Sequence, residues 1–133
     1  MDEAKSDLVG AGYVGRARGG GVALAATIDG TNGNDRLIGT DRADQIDGRG
    51  GQDIIRGHLG ADILDGGAGS DTLYAGSMDE FAQDSVNGGK SDDDIRAFNN
   101  PASKDVIDCG YGFDRAVVDS KDVLSGCNRV VRP

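Results

Sequence analysis

The sequence predicts an all-β chain wound as a right-handed parallel β-roll with a C-terminal cap, and three observations predict it. Glycine, aspartate and a branched aliphatic recur at fixed places of a nine-residue block; the blocks run on without a break over their best-preserved stretch; and the composition lacks what a packed globule needs. Gly supplies 23 of the 133 residues, Trp is absent, and aromatic residues make up only 5%.

The period starts at Gly30, with the blocks GTNGNDRLI, GTDRADQID, GRGGQDIIR, GHLGADILD and GGAGSDTLY. The first place holds Gly30, Gly39, Gly48, Gly57 and Gly66. The sixth holds Asp35, Asp44, Asp53, Asp62 and Asp71, and the eighth holds Leu37, Ile46, Ile55, Leu64 and Leu73. The fourth place is Gly except at Arg42. High charge with abundant Gly can also mean disorder, but columns in register over five blocks argue against it. Beyond Tyr74 the pattern continues with interruptions. Asp84-Ser85-Val86 closes a lengthened block, GGKSDDDIR restores the period at 88–96, and Asp105-Val106-Ile107 follows an insertion around Asn99-Asn100-Pro101. Asp114-Arg115-Ala116 is the weakest copy.

Each block has a mechanical reading. Six Gly-rich residues can adopt left-handed dihedrals and turn sharply. Three residues centred on an aliphatic form a short strand with one side chain inward. Turn plus strand is half a coil, so two blocks complete one coil, and parallel strands stack on the coils before and after. Alternate blocks then share an edge. Asp35, Asp53, Asp71, Asp93 and Asp114 make one ladder, and Asp44, Asp62, Asp84 and Asp105 make the other.

So thin an aliphatic interior cannot hold the roll alone, and stacked carboxylates repel. All the acidic residues except Glu3 and Glu80 are Asp, the short carboxylate that suits tight turns and compact oxygen sites. A hard divalent cation between successive rungs would meet two carboxylates and turn carbonyls, an all-oxygen shell suited to Ca²⁺ rather than Mg²⁺. The net charge of −9 argues against nucleic acid as a partner. Cys109 and Cys127 lie 18 positions apart; such a pair is a disulfide more often than a metal pair, with reduced thiols as the alternative.

These blocks resemble the RTX (hemolysin-type) calcium-binding repeat, G-G-x-G-x-D-x-U-x. GGAGSDTLY at 66–74 matches fully, and the resemblance covers residues 30–118. It implies Ca²⁺ between alternate turns and folding on binding. Its ligand pattern joins Asp35 and Asp53 through the carbonyls of Thr31, Gly33, Gly48 and Gly50. It joins Asp53 and Asp71 through those of Arg49, Gly51, Gly66 and Ala68. On the other edge it joins Asp44 and Asp62 through those of Thr40, Arg42, Gly57 and Leu59. Arg42 departs from the pattern and implies a weaker site. Ser91 replaces Gly beside Asp93, and insertions distort the loops leading to Asp84 and Asp105. The segment from Asp108 to Val131 resembles the C-terminal cap of small secreted bacterial repeat proteins, implying a Cys109–Cys127 staple worth about 3 kcal/mol.

The expected organisation is a mobile leader or signal-peptide remnant at 1–26, a calcium-binding roll at 27–118 and a stapled cap at 119–133. Ala23-Leu24-Ala25 fits a signal-cleavage pattern, but the preceding stretch is Gly-rich and carries Arg16 and Arg18. No segment is apolar enough to span a membrane. EF-hand, phosphate-loop and zinc-protease motifs are absent from the sequence. His58, the only histidine, falls at a turn position facing solvent, and Ser70, Ser77 and Ser85 have no general base. The chain therefore reads as non-catalytic. The leading reading is a monomeric extracellular calcium-binding protein. Its alternatives are an adhesion module and the non-catalytic part of an exported hydrolase or toxin. The outward positions Arg36, Gln45, Ile54, Ile63 and Thr72 show no consistent chemistry that would favour adhesion.

Overall fold

The structure, a computed structural model, describes residues 26–75, 82–99 and 103–133, together with the backbone of 12–14. Its elements are thirteen short strands: β1 (Gly12–Val14), β2 (Thr27–Asp29), β3 (Asp35–Ile38), β4 (Gln45–Asp47), β5 (Ile54–Arg56), β6 (Ile63–Asp65), β7 (Thr72–Tyr74), β8 (Ser85–Asn87), β9 (Asp94–Arg96), β10 (Val106–Asp108), β11 (Arg115–Val117), β12 (Val123–Ser125) and β13 (Arg129–Val131). Odd-numbered strands form a seven-stranded sheet and even-numbered strands a six-stranded one, each in chain order. All pairings are parallel. Successive strands thus alternate between two facing sheets, which is the predicted all-β parallel roll.

Register follows the sequence period. Arg36 pairs with Ile54 and Gln45 with Ile63, two blocks apart. Where the sequence lengthens, the separation grows to 22 and then 21 residues. The central aliphatics nevertheless stay level, as in Leu64↔Val86 and Ile95↔Ala116. The extra residues are taken up in the loops before Asp84 and Asp105, where 76–81 and 100–102 lie outside the described residues.

Burial has a period of two from the sixth place to the next first place. Asp, aliphatic and Gly all face inward, and the residues between them face out. Leu37, Ile46, Ile55, Leu64, Leu73, Ile95 and Ile107 are at most 1% exposed, and Ile28, Val86 and Ala116 complete the rows. Each strand from β2 to β11 therefore buries one central apolar side chain, which is why the core is so narrow.

The two ends differ. β1 pairs with β3, placing Gly12–Val14 alongside the roll; the rest of the segment read as a leader, apart from Ala26, lies outside the described residues. At the other end β12 pairs with β10 and β13 with β11, so the sheets run on through the expected cap. There the coil shortens to 17 and then 14 residues. Leu124 is only partly buried, and Val130 is 41% exposed. The predicted disulfide is present, with Cys109 and Cys127 Cα atoms 5.1 Å apart.

Candidate metal centre

The sixth-place aspartates form two continuous hydrogen-bonded ladders. On one edge the amide of Asp35 donates to Asp53 Oδ1, Asp53 to Asp71, Asp71 to Asp93 and Asp93 to Asp114, at 2.7–2.8 Å. On the other edge Asp44 donates to Asp62, Asp62 to Asp84 and Asp84 to Asp105, each at 2.8 Å. Both expected ladders are therefore brought together, by side chains that are at most 3% exposed.

Their second oxygens fall into two groups. In the first two turns threonine serves the carboxylate. Thr31 N donates to Asp35 Oδ2 at 2.6 Å, and its hydroxyl lies 3.0 Å from both oxygens. Thr40 N donates to Asp44 Oδ2 at 2.5 Å, and Thr40 Oγ1 to Oδ1 at 2.8 Å. By contrast, the buried Oδ2 atoms of Asp53, Asp71, Asp93 and Asp114 have no hydrogen-bond partner. Leaving a buried carboxylate oxygen without a donor is costly. Burial pushes Asp53 up to about 6, Asp93 to about 7 and Asp71 to about 8, against the pull of the ladder amide. Neighbouring carboxylates add to the rise, among them Asp35 for Asp53 and Asp114 for Asp93.

The first-place glycines explain what faces these oxygens. A Cβ on Gly48 would lie 2.5 Å from Asp53 Oδ2 and 2.8 Å from the Gly66 carbonyl oxygen. On Gly66 it would lie 2.6 Å from Asp71 Oδ2 and 2.7 Å from the Gly88 carbonyl. The left-handed dihedrals expected of the Gly-rich turns fall at second and fourth places, such as Gly67 (φ 83°) and Gly51 (φ 86°), and not at the first. The first place is Gly for space. Each such gap sets a carboxylate oxygen against a main-chain carbonyl oxygen, a repulsive pairing that a proton or a hard cation relieves. Among the described residues no three Asp, Glu, His or Cys side chains converge, so a cation here would draw most of its donors from the main chain. The donor set fits an oxygen-seeking ion.

The predicted donors lie in these turns. The Gly48, Gly66 and Gly57 carbonyls approach the gaps beside Asp35, Asp53 and Asp44. Thr31 and Arg49 carbonyls already accept the amides of Gly50 (3.3 Å) and Ala68 (2.7 Å) one coil on. Gly33, Gly51 and Arg42 lie backbone to backbone against Gly51, Gly69 and Gly60 of the next coil. Thr40 is buried in its turn, and Leu59 is exposed in the turn that follows it on the same edge. Arg42 is tolerated at a fourth place because its turn is organised by Thr40, whose hydroxyl accepts the Arg42 amide. Ser91, in a turn without such a threonine, is forced to φ 72°. His58 is exposed, as expected.

Sequence reasoning missed several supporting groups. The threonine hydroxyls sit at the second place, which the block pattern leaves open. Both ladders also end in unexpected residues. Asp105 donates to Asp122 Oδ1, whose Oδ2 accepts the Asp119 amide, and Asp114 donates to Asn128 Oδ1. Asn99 Nδ2 donates to Asp105 Oδ2 at 2.8 Å. The spacings of 17 and 14 residues break the nine-residue count, so no periodicity could reveal Asp122 or Asn128. A further column, Asp47, Asp65, Asn87 and Asp108, accepts the amides of Arg49, Gly67, Gly89 and Gly110, which all have positive φ. These are Asx turns that stabilise the left-handed residue.

A family model described as the RTX calcium-binding nonapeptide repeat matches residues 29–64 and 53–77, in four copies. No curated protein and no solved structure matches the chain.

Proposed function

From a chain whose residues 29–77 carry RTX calcium-binding nonapeptide repeats, we propose an extracellular calcium-binding protein that folds and rigidifies when Ca²⁺ enters the Asp ladders. The observation that carries this reading is the run of buried, donor-less Oδ2 atoms at Asp53, Asp71, Asp93 and Asp114. Bound Ca²⁺ would neutralise these carboxylates and link one turn to the next through oxygen ligands. Asp53, Asp71 and Asp93 would supply the side-chain oxygens, with first-place carbonyls such as Gly66 and Gly88 beside them. The predicted positions Asp35–Asp53 and Asp44–Asp62 each include a carboxylate already served by threonine, and we rank them below Asp53–Asp71. Export is supported by the disulfide, which suits an oxidising compartment. No helix among the described residues is long and apolar enough to cross a membrane. The ladder carboxylates are buried against main-chain oxygens rather than facing an open cleft, which favours binding over catalysis.

The test is calorimetric titration of the chelated protein with CaCl₂ at pH 8, followed in parallel by circular dichroism. Heat of binding together with a gain of β-structure is expected. A chelated protein already fully β-structured and insensitive to calcium would defeat the proposal.

A further inference from the structure

The seventh-place residues alone show no consistent chemistry, but all outward residues taken together separate by charge once alternate blocks are assigned to opposite sheets. The odd-numbered sheet presents Arg36, Arg56, Arg96, Arg115 and Arg129, with Asp94 the only acid among the outward positions of β3, β5, β7, β9, β11 and β13. Asp94 pairs with Arg96 at 3.0 Å and Arg115 at 3.1 Å, and Tyr74 is stacked under Arg56, 4.4 Å from its ring centre. The even-numbered sheet presents Asp29, Asp47, Asp65 and Asp108 and no basic residue among the outward positions of its strands. Each face also exposes aliphatics: Ile54 (40%) on the first, and Ile63 (52%), Val106 (40%) and Val123 (48%) on the second.

We infer that the arginine face of one molecule docks on the aspartate face of a second copy. The complementarity is of sign. The aspartates share one register, on β2, β4, β6 and β10, and the arginines stand in two, Arg36, Arg115 and Arg129 in one and Arg56 and Arg96 in the other. Strands of both faces are about 4.8 Å apart, so charges of one face can meet those of the other on several coils. Guanidinium–carboxylate pairs are directional, and the exposed aliphatics would be covered on docking. The contact joins different faces, so it does not close on itself and builds open chains rather than a sealed dimer. The overall charge of −9 opposes association at long range. At about 0.15 M salt, screening over roughly 8 Å removes most of that repulsion while leaving contact pairs intact, whereas 1 M salt, with a screening length of roughly 3 Å, weakens the pairs too.

The test uses sedimentation equilibrium in calcium, on protein verified as folded by circular dichroism, with two reversed variants. Arg36→Glu/Arg56→Glu/Arg129→Glu makes both faces acidic while leaving the Asp94 pairs intact. Gln45→Lys/Ile63→Lys/Ser85→Lys introduces positive charge on the aspartate face without touching the Asx turns. The wild type is expected to at least double its average mass with rising concentration at 0.15 M NaCl and to return to monomer at 1 M. Each variant alone is expected to stay monomeric, and an equimolar mixture to associate again. Folded wild type that stays monomeric at every salt concentration would overturn the inference. So would association that survives both reversals, or a mixture that fails to recover it.

Discussion

In the turns led by Thr31 and Thr40 the buried carboxylate finds its donors within its own turn and the neighbouring coil. In the turns of Asp53, Asp71 and Asp93 it finds one ladder amide on Oδ1 and nothing on Oδ2. The inward Asp is the same, and the difference lies at the second place: Thr31 and Thr40 turn their amides onto Oδ2, whereas Arg49, Gly67 and Gly89 have positive φ and give their amides to Asp47, Asp65 and Asn87. Thr supplies a hydroxyl; Arg49, Gly67 and Gly89 do not. The far end resembles the start, since Asp122 has both oxygens served by amides and Asp105 has Asn99. The Thr-led turns at the start, and Asp105 and Asp122 near the far end, are thus satisfied by protein groups, whereas Asp53, Asp71, Asp93 and Asp114 on the edge of the odd-numbered strands each keep a donor-less oxygen.

The largest effect expected of this contrast is a crossed pair of substitutions. Asp71→Asn keeps an acceptor for the Asp53 amide but removes the charge, so it should lower the number of calcium ions bound and weaken calcium affinity at least about tenfold. It should also raise the β-content of the chelated protein. Asp44→Asn should do the reverse, losing about 1–3 kcal/mol of stability by turning an amide donor toward Thr40, with the calcium stoichiometry unchanged by calorimetry. Equal losses of bound calcium in the two variants would erase the distinction between Thr-led and donor-less turns.

A smaller effect concerns pH without metal. Burial raises Asp53, Asp93 and Asp71 from an unfolded value of 3.8 to about 6, 7 and 8. The folded chain therefore holds more protons than the unfolded one, and metal-free stability falls as pH rises from about 4 to about 8. Circular dichroism of chelated protein should show more β-structure at pH 5 than at pH 8. A gain toward pH 8 would mean that the middle carboxylates are served by something other than protons or metal.

The smallest effect is Thr40→Val. It removes the hydroxyl from Asp44 and from the Arg42 amide, and should cost about 1–2 kcal/mol in urea unfolding with calcium present. Thr72→Val, on the outer face of β7, should change stability by less than about 0.5 kcal/mol. Equal costs at the two positions would show that the Thr40 bond contributes nothing special.

What could be read from sequence was whatever repeats in register. The Asp and aliphatic columns carried the strand centres, the two sheets and the ladder partners from Asp35 to Asp114, and the lone Cys pair with the cap resemblance carried the disulfide. The left-handed dihedrals expected of the Gly-rich turns are present, but the reason for glycine at the first place was not visible. Gly48 and Gly66 are glycine because a carboxylate folds over them, whereas the left-handed dihedrals sit at residues such as Gly51 and Gly67. Features set by single contacts stayed hidden. Thr31 and Thr40 occupy a place where any residue is allowed, and Asp122 and Asn128 fall out of step with the period. The sheet faces stayed hidden because the seventh-place row Arg36, Gln45, Ile54, Ile63 and Thr72 holds no aspartate, whereas the ninth place alternates Asp47, Arg56 and Asp65 between opposite sheets.

The ladders also have an arrow. Every rung's amide reaches forward, to the carboxylate one coil later in the chain, never back. A coil is thus completed only by its successor. As the polypeptide emerges amino end first, each aspartate amide waits one coil for its acceptor, and only those of Asp105 and Asp114 wait for Asp122 and Asn128. Closure is passed along the chain like a zip, with one coil always left open until the next is made.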